Sequence, residues 1–208
     1  MGIQTNTCTV DTVLFDFGGV LAEKGFEEGL KTIALRNGLE EIPFLSMVFD
    51  VIHATGYLTG HSDEHTFWKV LRDKTGIMEQ DETMRNDILS RFIPRPWMFD
   101  IVKKLKAAGV RVAILSDQTN WLDELDRKYD FFRLFDFVFN SYHVGKSKAD
   151  PSHFVDTISR LDKAPERLLF VDDTGAHCET ARNLGINAIQ FIGWESFIRD
   201  IRLFFPFL

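Results

Sequence analysis

Five short runs of apolar and β-branched residues constrain the fold of this chain more than any other feature. They are "TVLFD" (12–16), "VRVAIL" (110–115), "FDFVFN" (135–140), "RLLFVD" (167–172) and "NAIQF" (187–191). Such runs are typical of strands that are buried on both faces of a sheet. Amphipathic helical patterns lie between most of them, and strands that alternate with helices form parallel sheets. The sequence therefore predicts an α/β fold with a parallel sheet core flanked by helices.

The first two of these strands are too far apart in the chain to be joined by a single crossover. Residues 22–92, which lie between them, carry four further helical patterns. The "PRP" segment at 94–96 follows and favours an extended return to the sheet. We expect residues 22–92 to form a small all-helical cap, inserted after the first strand into a core made of residues 1–21 and 93–208.

Composition and charge exclude several classes of function. The 208 residues are 45% hydrophobic and carry 24 lysines and arginines against 31 acids, a net charge of −7. An acidic chain has no general attraction for nucleic acid or an anionic membrane, so a phosphate-bearing ligand needs a local positive site.

The cysteine content and the apolar runs indicate where the protein works. Cys8 and Cys178 are the only cysteines, and no apolar run approaches membrane-spanning length. Neither a disulfide framework nor a membrane anchor is therefore expected. The sequence predicts a cytoplasmic protein without nucleic-acid or membrane partners. We expect a monomer, or a homodimer supported by the aromatic C-terminal tail.

Polar and charged residues follow four of the predicted strands. Ligands bind at the carboxyl ends of the strands in an open parallel sheet, so these side chains are expected at one edge. Each could instead cap a helix or lie in solvent, but the joint pattern favours a site. The residues concerned are Asp16, Ser116, Asp117, Lys146, Lys148, Asp172 and Asp173.

The carboxylates in this set indicate a metal ion. Asp172 and Asp173 are adjacent, and the sheet brings Asp16 close to them. Three carboxylates at one place repel one another unless a cation lies between them. Ligands that are all oxygen suit Mg²⁺, which we therefore predict as the cofactor.

The order and spacing of these residues resemble the motifs of the haloacid dehalogenase (HAD) superfamily, whose hydrolases use an aspartate nucleophile. The segment "DFGGV" resembles the first motif with Asp16 as nucleophile, and Ser116 matches the second. The segment "GKSKADP" resembles the third motif through Lys148, and "VDDTG" resembles the fourth. The resemblance covers nearly the whole chain, including the helical insertion, and implies a Rossmann-like core.

This resemblance implies a Mg²⁺-dependent phosphohydrolase that acts on a small phosphorylated metabolite through an aspartyl-phosphate intermediate. Asp16, Ser116 and Lys148 would be its catalytic residues. Ser116 and Lys148 would also bind the phosphate of the substrate. The metal ligands implied by the resemblance are Asp16, the backbone carbonyl of Gly18, Asp172 and Asp173.

Three positions depart from the family pattern. Gly18 replaces the aspartate that serves the family's phosphatases as general acid and base, and Ala149 replaces a proline. Asp117 stands where asparagine is common, which adds a negative charge near the phosphate. Charge in the site balances if Lys146 also faces inward, or if Asp117 turns away to cap the helix that carries Trp121. We therefore include Asp117 and Lys146 among the candidate substrate-binding residues.

Two other functions remain open on the sequence. The loss of the general acid at Gly18 suggests a catalytically impaired protein that binds a phosphate ester or has a regulatory role. Hydrolytic dehalogenation of a 2-haloacid uses the same nucleophile without a metal. The second alternative is disfavoured, because an acidic pair without a cation would repel a carboxylate substrate.

Overall fold

A computed structural model of the protein describes residues 10–208, so Cys8 and the first nine residues of the predicted core lie outside the described residues. Its five strands are β1 (Thr12–Phe15), β2 (Arg111–Ser116), β3 (Phe137–Asn140), β4 (Leu168–Asp172) and β5 (Asn187–Gln190). They form one sheet in the order β3-β2-β1-β4-β5, and every neighbouring pair is parallel. The predicted α/β fold with a Rossmann-like core is confirmed.

Helices connect the strands and cover both faces of the sheet. Within residues 10–208, none of them is both long and apolar enough to cross a membrane. They are α1 (Gly25–Arg36), α2 (Glu41–Thr55), α3 (Glu64–Thr75), α4 (Asp81–Leu89), α5 (Pro96–Ala107), α6 (Trp121–Tyr129), α7 (Ser141–Val144), α8 (Pro151–Leu161), α9 (Gly175–Asn183) and α10 (Trp194–Ile201).

Alternate residues of the central strand β1 belong to two hydrophobic clusters, one on each face of the sheet. Val13 and Phe15 are part of the larger cluster, whereas Leu14 packs in the smaller one. All four residues of β1 are buried, as expected for a strand covered by helices on both sides. This burial explains why the run is apolar throughout rather than alternating.

The strand register brings the polar residues to one edge of the sheet. Phe15, the last residue of β1, pairs with Ile114 of β2 and with Val171 of β4. The residues that follow these positions, including Asp16, Ser116 and Asp172, therefore leave the sheet at the same end.

Helices α1–α4 lie in the chain between β1 and α5, where the sequence predicts four helices. Their buried residues, such as Phe44, Trp68 and Ile88, belong to the same hydrophobic cluster as Val13 and Phe15 of the sheet. One continuous apolar core thus runs from the sheet into these helices. The division of the chain into a core and a cap at residues 22–92 stays a prediction.

Polar contacts also connect these helices to the loop after β2. Glu64, at the start of α3, accepts hydrogen bonds from the indole nitrogens of Trp68 (2.9 Å) and Trp121 (3.0 Å). The hydroxyl of Tyr57 donates to Asn120 Oδ1 at 2.6 Å. Asn120 and Trp121 lie at the start of α6. These bonds therefore hold α3 and the segment of Tyr57 against the start of α6.

Replacing Glu64 by alanine should lower the free energy of unfolding by about 2 kcal/mol, because it leaves two buried indole N–H groups without an acceptor. Chemical denaturation followed by tryptophan fluorescence and circular dichroism measures the change. Asp73→Ala, which removes an exposed carboxylate from the same helix, is the matched control and should have little effect. Equal stabilities of the two variants would show that the Glu64 contacts contribute nothing.

Candidate active site

Asp16 directly follows β1, and donors hold both of its carboxylate oxygens. The hydroxyl of Ser116 and the backbone N–H of Phe17 both donate to Oδ1 at 2.6 Å. The ammonium group of Lys148 lies 2.9 Å from Oδ2. Asp16 is 7% exposed, and the exposed part lines a cavity. The carboxylate is thus fixed in one orientation with one side open to a ligand.

Lys148 connects Asp16 to the acidic pair after β4. Its side chain is 1% exposed, and its Nζ also lies 2.6 Å from Oδ2 of Asp172, which is fully buried. The backbone N–H of Lys148 donates to Oδ1 of Asp117 at 2.8 Å, which fixes the loop that carries the lysine. A buried ammonium group is stable only when such carboxylates pair with it.

The two carboxylates that share Lys148 have very different pKa values. Burial, together with the charge of Asp172, raises the pKa of Asp16 to about 7 in spite of the opposing ammonium group of Lys148. Burial acts in the same sense on Asp172, but Lys148 and His177 outweigh it and hold the pKa of Asp172 well below its usual range. The pKa of Lys148 is raised by both carboxylates against the effect of its burial. Of the two carboxylates, Asp172 is therefore the one whose ionised form is favoured beside the lysine.

Asp173 completes a group of three carboxylates. Asp16, Asp172 and Asp173 each offer a ligand oxygen within 4.8 Å of the others. The ammonium group of Lys24 lies 2.5 Å from Asp173 Oδ2 and compensates part of the negative charge. Oxygen donors that are this close and this highly charged fit a divalent cation such as Mg²⁺. Asp173 has the most exposed side chain of the three carboxylates. The oxygens of Asp172, by contrast, already accept bonds from Lys148 and from the backbone N–H of Thr174.

Gly18 and Gly19 lie next to the site, and their surroundings differ. A Cβ atom on Gly19 would lie 2.6 Å from Asp173 Oδ2, and the φ of Gly19 is +82°, so only glycine fits there. A Cβ atom on Gly18 would lie 3.4 Å from both Gln118 Nε2 and Phe92 Cε1, an ordinary contact distance. The backbone therefore leaves room for a side chain at position 18.

The structure does not bring Lys146 to the other candidates. Its ammonium group pairs with Asp156 at 2.5 Å, and Lys146 is absent from the lining of the cavity. Asp117 does line the cavity, but it does not cap α6, whose N-cap is Asn120 without a side-chain bond. Neither of the two expected arrangements, an inward Lys146 or an Asp117 that caps α6, is present. Asp117 instead accepts a hydrogen bond from the backbone N–H of Lys148.

A cavity of about 310 Å³ adjoins Asp16. Two histidines, His53 and His177, line this cavity, whereas His143 pairs with Asp123 outside it. Lys24 and Gln118 also line it, and motif matching alone does not select them. The one signal that could have identified them is their place in the chain, since Lys24 lies four residues after "DFGGV" and Gln118 directly follows "SD".

Comparison with known proteins gives a family match and several relatives. A family model described as haloacid dehalogenase-like hydrolase matches residues 10–185. A phosphoglycolate phosphatase of Aquifex aeolicus is 29% identical over 181 residues, which cover 83% of this chain and 80% of that protein. Bifunctional epoxide hydrolase 2 of Rattus norvegicus is 28% identical over 58% of this chain, and the match spans only 22% of that longer protein.

A solved structure also resembles the chain. It is a HAD family enzyme of Bacteroides thetaiotaomicron in complex with magnesium and inorganic phosphate, with a TM-score of 0.72 and 21% identity. The alignment covers 91% of this chain and 100% of that one. At this level of identity the likeness extends to the fold alone.

Replacing Lys24 by methionine should tighten Mg²⁺ binding by about fivefold, because the ammonium group competes with a cation for Asp173. Isothermal titration calorimetry with MgCl₂ measures the dissociation constant. Lys31→Met, which removes an exposed lysine of α1 that pairs with Glu28, is the matched control and should bind as the wild type does.

Asp173→Asn supplies the opposite comparison. This variant should bind Mg²⁺ at least about tenfold more weakly, and adding Lys24→Met to it should no longer improve binding. Unchanged affinity in both Lys24→Met and Asp173→Asn would remove Asp173 from the metal site.

Proposed function

The chain belongs to the haloacid dehalogenase-like hydrolases, and on that premise we propose that it is a Mg²⁺-dependent phosphohydrolase acting on a small phosphorylated metabolite. The observation that carries the proposal is the arrangement of Asp16, held by Ser116 and Lys148, beside two further carboxylates. The relative that acts on phosphoglycolate and the fold neighbour that binds magnesium and phosphate support the same chemistry.

The proposed reaction has two steps. A carboxylate oxygen of Asp16 attacks the phosphorus, and the bond from phosphorus to the ester oxygen breaks, so that the leaving group departs with the electron pair. Water then attacks the phosphorus of the aspartyl-phosphate, which releases phosphate and restores the Asp16 carboxylate. Throughout, Lys148 and Ser116 orient the nucleophile and donate hydrogen bonds to the phosphoryl oxygens.

The negative charge of the site calls for a cation before a phosphate dianion enters. Asp16, Asp172, Asp173 and the backbone carbonyl of Gly18 are the proposed ligands. A Mg²⁺ ion bound there would favour the ionised form of Asp16 and offset the charge of the phosphate. Asp172 contributes mainly by holding Lys148, whose ammonium group would otherwise lie unpaired in a buried place.

We assign residues 22–92 to the cap that closes over this site. The cavity next to Asp16 is lined by Phe26 and Glu27 of α1 and by Phe49, Ile52 and His53 of α2. Side chains from this segment therefore meet the part of the substrate beyond the phosphate, and they exclude water from it. Substrate choice would follow from these residues.

The two alternative functions are less well supported. A 2-haloacid dehalogenase works without a cation, whereas three carboxylates lie together here with only two ammonium groups to balance them. A protein that only binds phosphate esters needs no buried, oriented nucleophile such as Asp16. The absence of an acid at position 18 affects only the protonation of the leaving group, and the nucleophile Asp16 remains in place.

Asp16→Asn should reduce phosphate release from 4-nitrophenyl phosphate by at least about 10³-fold, because an amide cannot form the covalent intermediate. A colorimetric phosphate assay with Mg²⁺ present measures the rate. Asp50→Asn, which changes an exposed carboxylate of α2 outside the cavity, is the matched control and should keep the wild-type rate.

Addition of a chelator separates the candidate functions. Phosphate release that stops with EDTA and returns with excess Mg²⁺ supports the proposed phosphohydrolase. Release of halide from a 2-haloacid in the presence of EDTA would contradict it, and undiminished turnover by Asp16→Asn would show that the nucleophile is misassigned.

Gly18→Asp should speed the hydrolysis of esters with strongly basic leaving groups by about 10²-fold or more, since it restores a general acid where the backbone has room for one. In the wild type, log(kcat/KM) should fall steeply as the pKa of the leaving group rises, and the slope should be shallower in the variant. A series of aryl and alkyl phosphates measures both slopes. Gly18→Asn adds nearly the same volume without an acid and is the matched control.

A shallow dependence in the wild type would show that another residue already supplies the proton. His53 and His177, which line the cavity, would then be the residues to replace next.

A further inference from the structure

We propose that the leaving group of the substrate is uncharged and apolar and presents an aromatic ring to the cavity. This inference rests on the proposed function and narrows it, because it separates uncharged esters from esters that carry a carboxylate or a second phosphate. Three features of the cavity next to Asp16 lead to it: its walls, its charge and its volume.

The walls of the cavity are mainly apolar and aromatic. Phe49 on α2 makes an edge contact with Phe26 on α1, with ring centroids 5.5 Å apart, and Phe26 lies 6.3 Å from the ring of Trp121. Phe49 remains 38% exposed, so one face of this aromatic group is free to contact a ligand. Aromatic side chains grouped in this way are typical of the part of a site that contacts an apolar group of the ligand. The apolar lining residues are Phe26, Phe49, Ile52, Leu58, Phe92 and Trp121.

The charge of the cavity excludes a second anionic group on the substrate. Four carboxylates line it, but only two ammonium groups do, those of Lys24 and Lys148. Both lysines are already paired, Lys24 with Asp173 and Lys148 with Asp16. A divalent cation and these lysines are needed to balance the phosphate itself, so nothing is left to balance a further anion. The lining carboxylates are Asp16, Glu27, Asp117 and Asp173.

The position of the charged residues strengthens this conclusion. Among the described residues that line the cavity, none is an arginine, the residue type best suited to bind a carboxylate or phosphate. Glu27 is the carboxylate that helix α1 contributes to the cavity, and it would repel an anionic leaving group directly. His53 lies exposed on α2, where water competes with any ion pair.

The volume of the cavity is sufficient for a leaving group with an aromatic ring. The cavity measures about 310 Å³ and must also hold the phosphoryl group next to Asp16. This value lies at the lower end of the range for small-molecule sites, which is about 300 to 1,000 Å³. The remaining space accommodates an aromatic ring, with Gln118 and Thr119 as polar neighbours.

The decisive comparison uses two esters that differ in charge but have similar leaving-group basicity. Phenyl phosphate and 3-carboxyphenyl phosphate meet this condition, because a meta carboxylate hardly changes the acidity of the phenol. With Mg²⁺ present, kcat/KM should be at least about tenfold higher for phenyl phosphate. Glu27→Gln should narrow this ratio severalfold, whereas Glu28→Gln, a change at the neighbouring exposed residue, should not alter it.

The aromatic wall is tested with Phe49→Ala. This variant should lower kcat/KM for phenyl phosphate about tenfold relative to kcat/KM for acetyl phosphate, which has no ring. Ile42→Ala, at a site on α2 that is 82% exposed, should leave the ratio of the two substrates unchanged. Because Phe49 is partly exposed, its replacement should not prevent folding.

The outcomes separate this inference from the proposed function. If acetyl phosphate is hydrolysed but the two aryl esters react equally well, or the carboxylated ester reacts faster, the inference is overturned and the proposed function stands. If no phosphate ester is hydrolysed, calorimetric binding of phenylphosphonate against 3-carboxyphenylphosphonate makes the same comparison without turnover. Tighter binding of phenylphosphonate then supports the uncharged ligand, and equal or weaker binding overturns it.

Discussion

The buried ammonium group of Lys148, shared between Asp16 and Asp172, is the interaction on which the rest of the site depends. It joins the end of β1 to the end of β4 through a residue that comes from the loop after β3. A lysine that is 1% exposed tolerates burial only while both carboxylates remain in place. The pairing with Lys148 holds the pKa of Asp172 well below its usual range, whereas burial raises the pKa of Asp16 to about 7.

The sequence predicts the positions that strand geometry determines. Asp16, Ser116 and Asp172 could be placed at one edge because parallel strands end together, and the register bears this out. The partners of loop side chains could not be predicted in this way. Lys146 and Lys148 are two residues apart in one loop, yet one pairs with Asp156 at the surface and the other is buried. The resemblance to the third motif selects Lys148, but the surface position of Lys146 follows only from the fold of the loop, which Asp117 holds through the backbone N–H of Lys148.

The helices between β1 and α5 also make side-chain contacts that the sequence alone does not predict. Their number follows from the periodicity of apolar residues, whereas their contacts with the sheet side depend on single polar groups. Glu64 accepts from two tryptophans of different helices, and no local pattern predicts this. At the start of α3, Asp63 is the cap and accepts a bond from the backbone N–H of Thr66, although the preceding Ser62 is an equally suitable capping residue type. Local capping signals of equal strength cannot be ranked without the surrounding chain.

The two glycines after Phe17 differ in how freely they can change over evolutionary time. Gly19 is fixed by its left-handed backbone and by its contact with Asp173, so every substitution there damages the fold. Gly18 has no such constraint, and a single nucleotide change converts some glycine codons into aspartate codons. The backbone conformation therefore does not by itself require glycine at position 18.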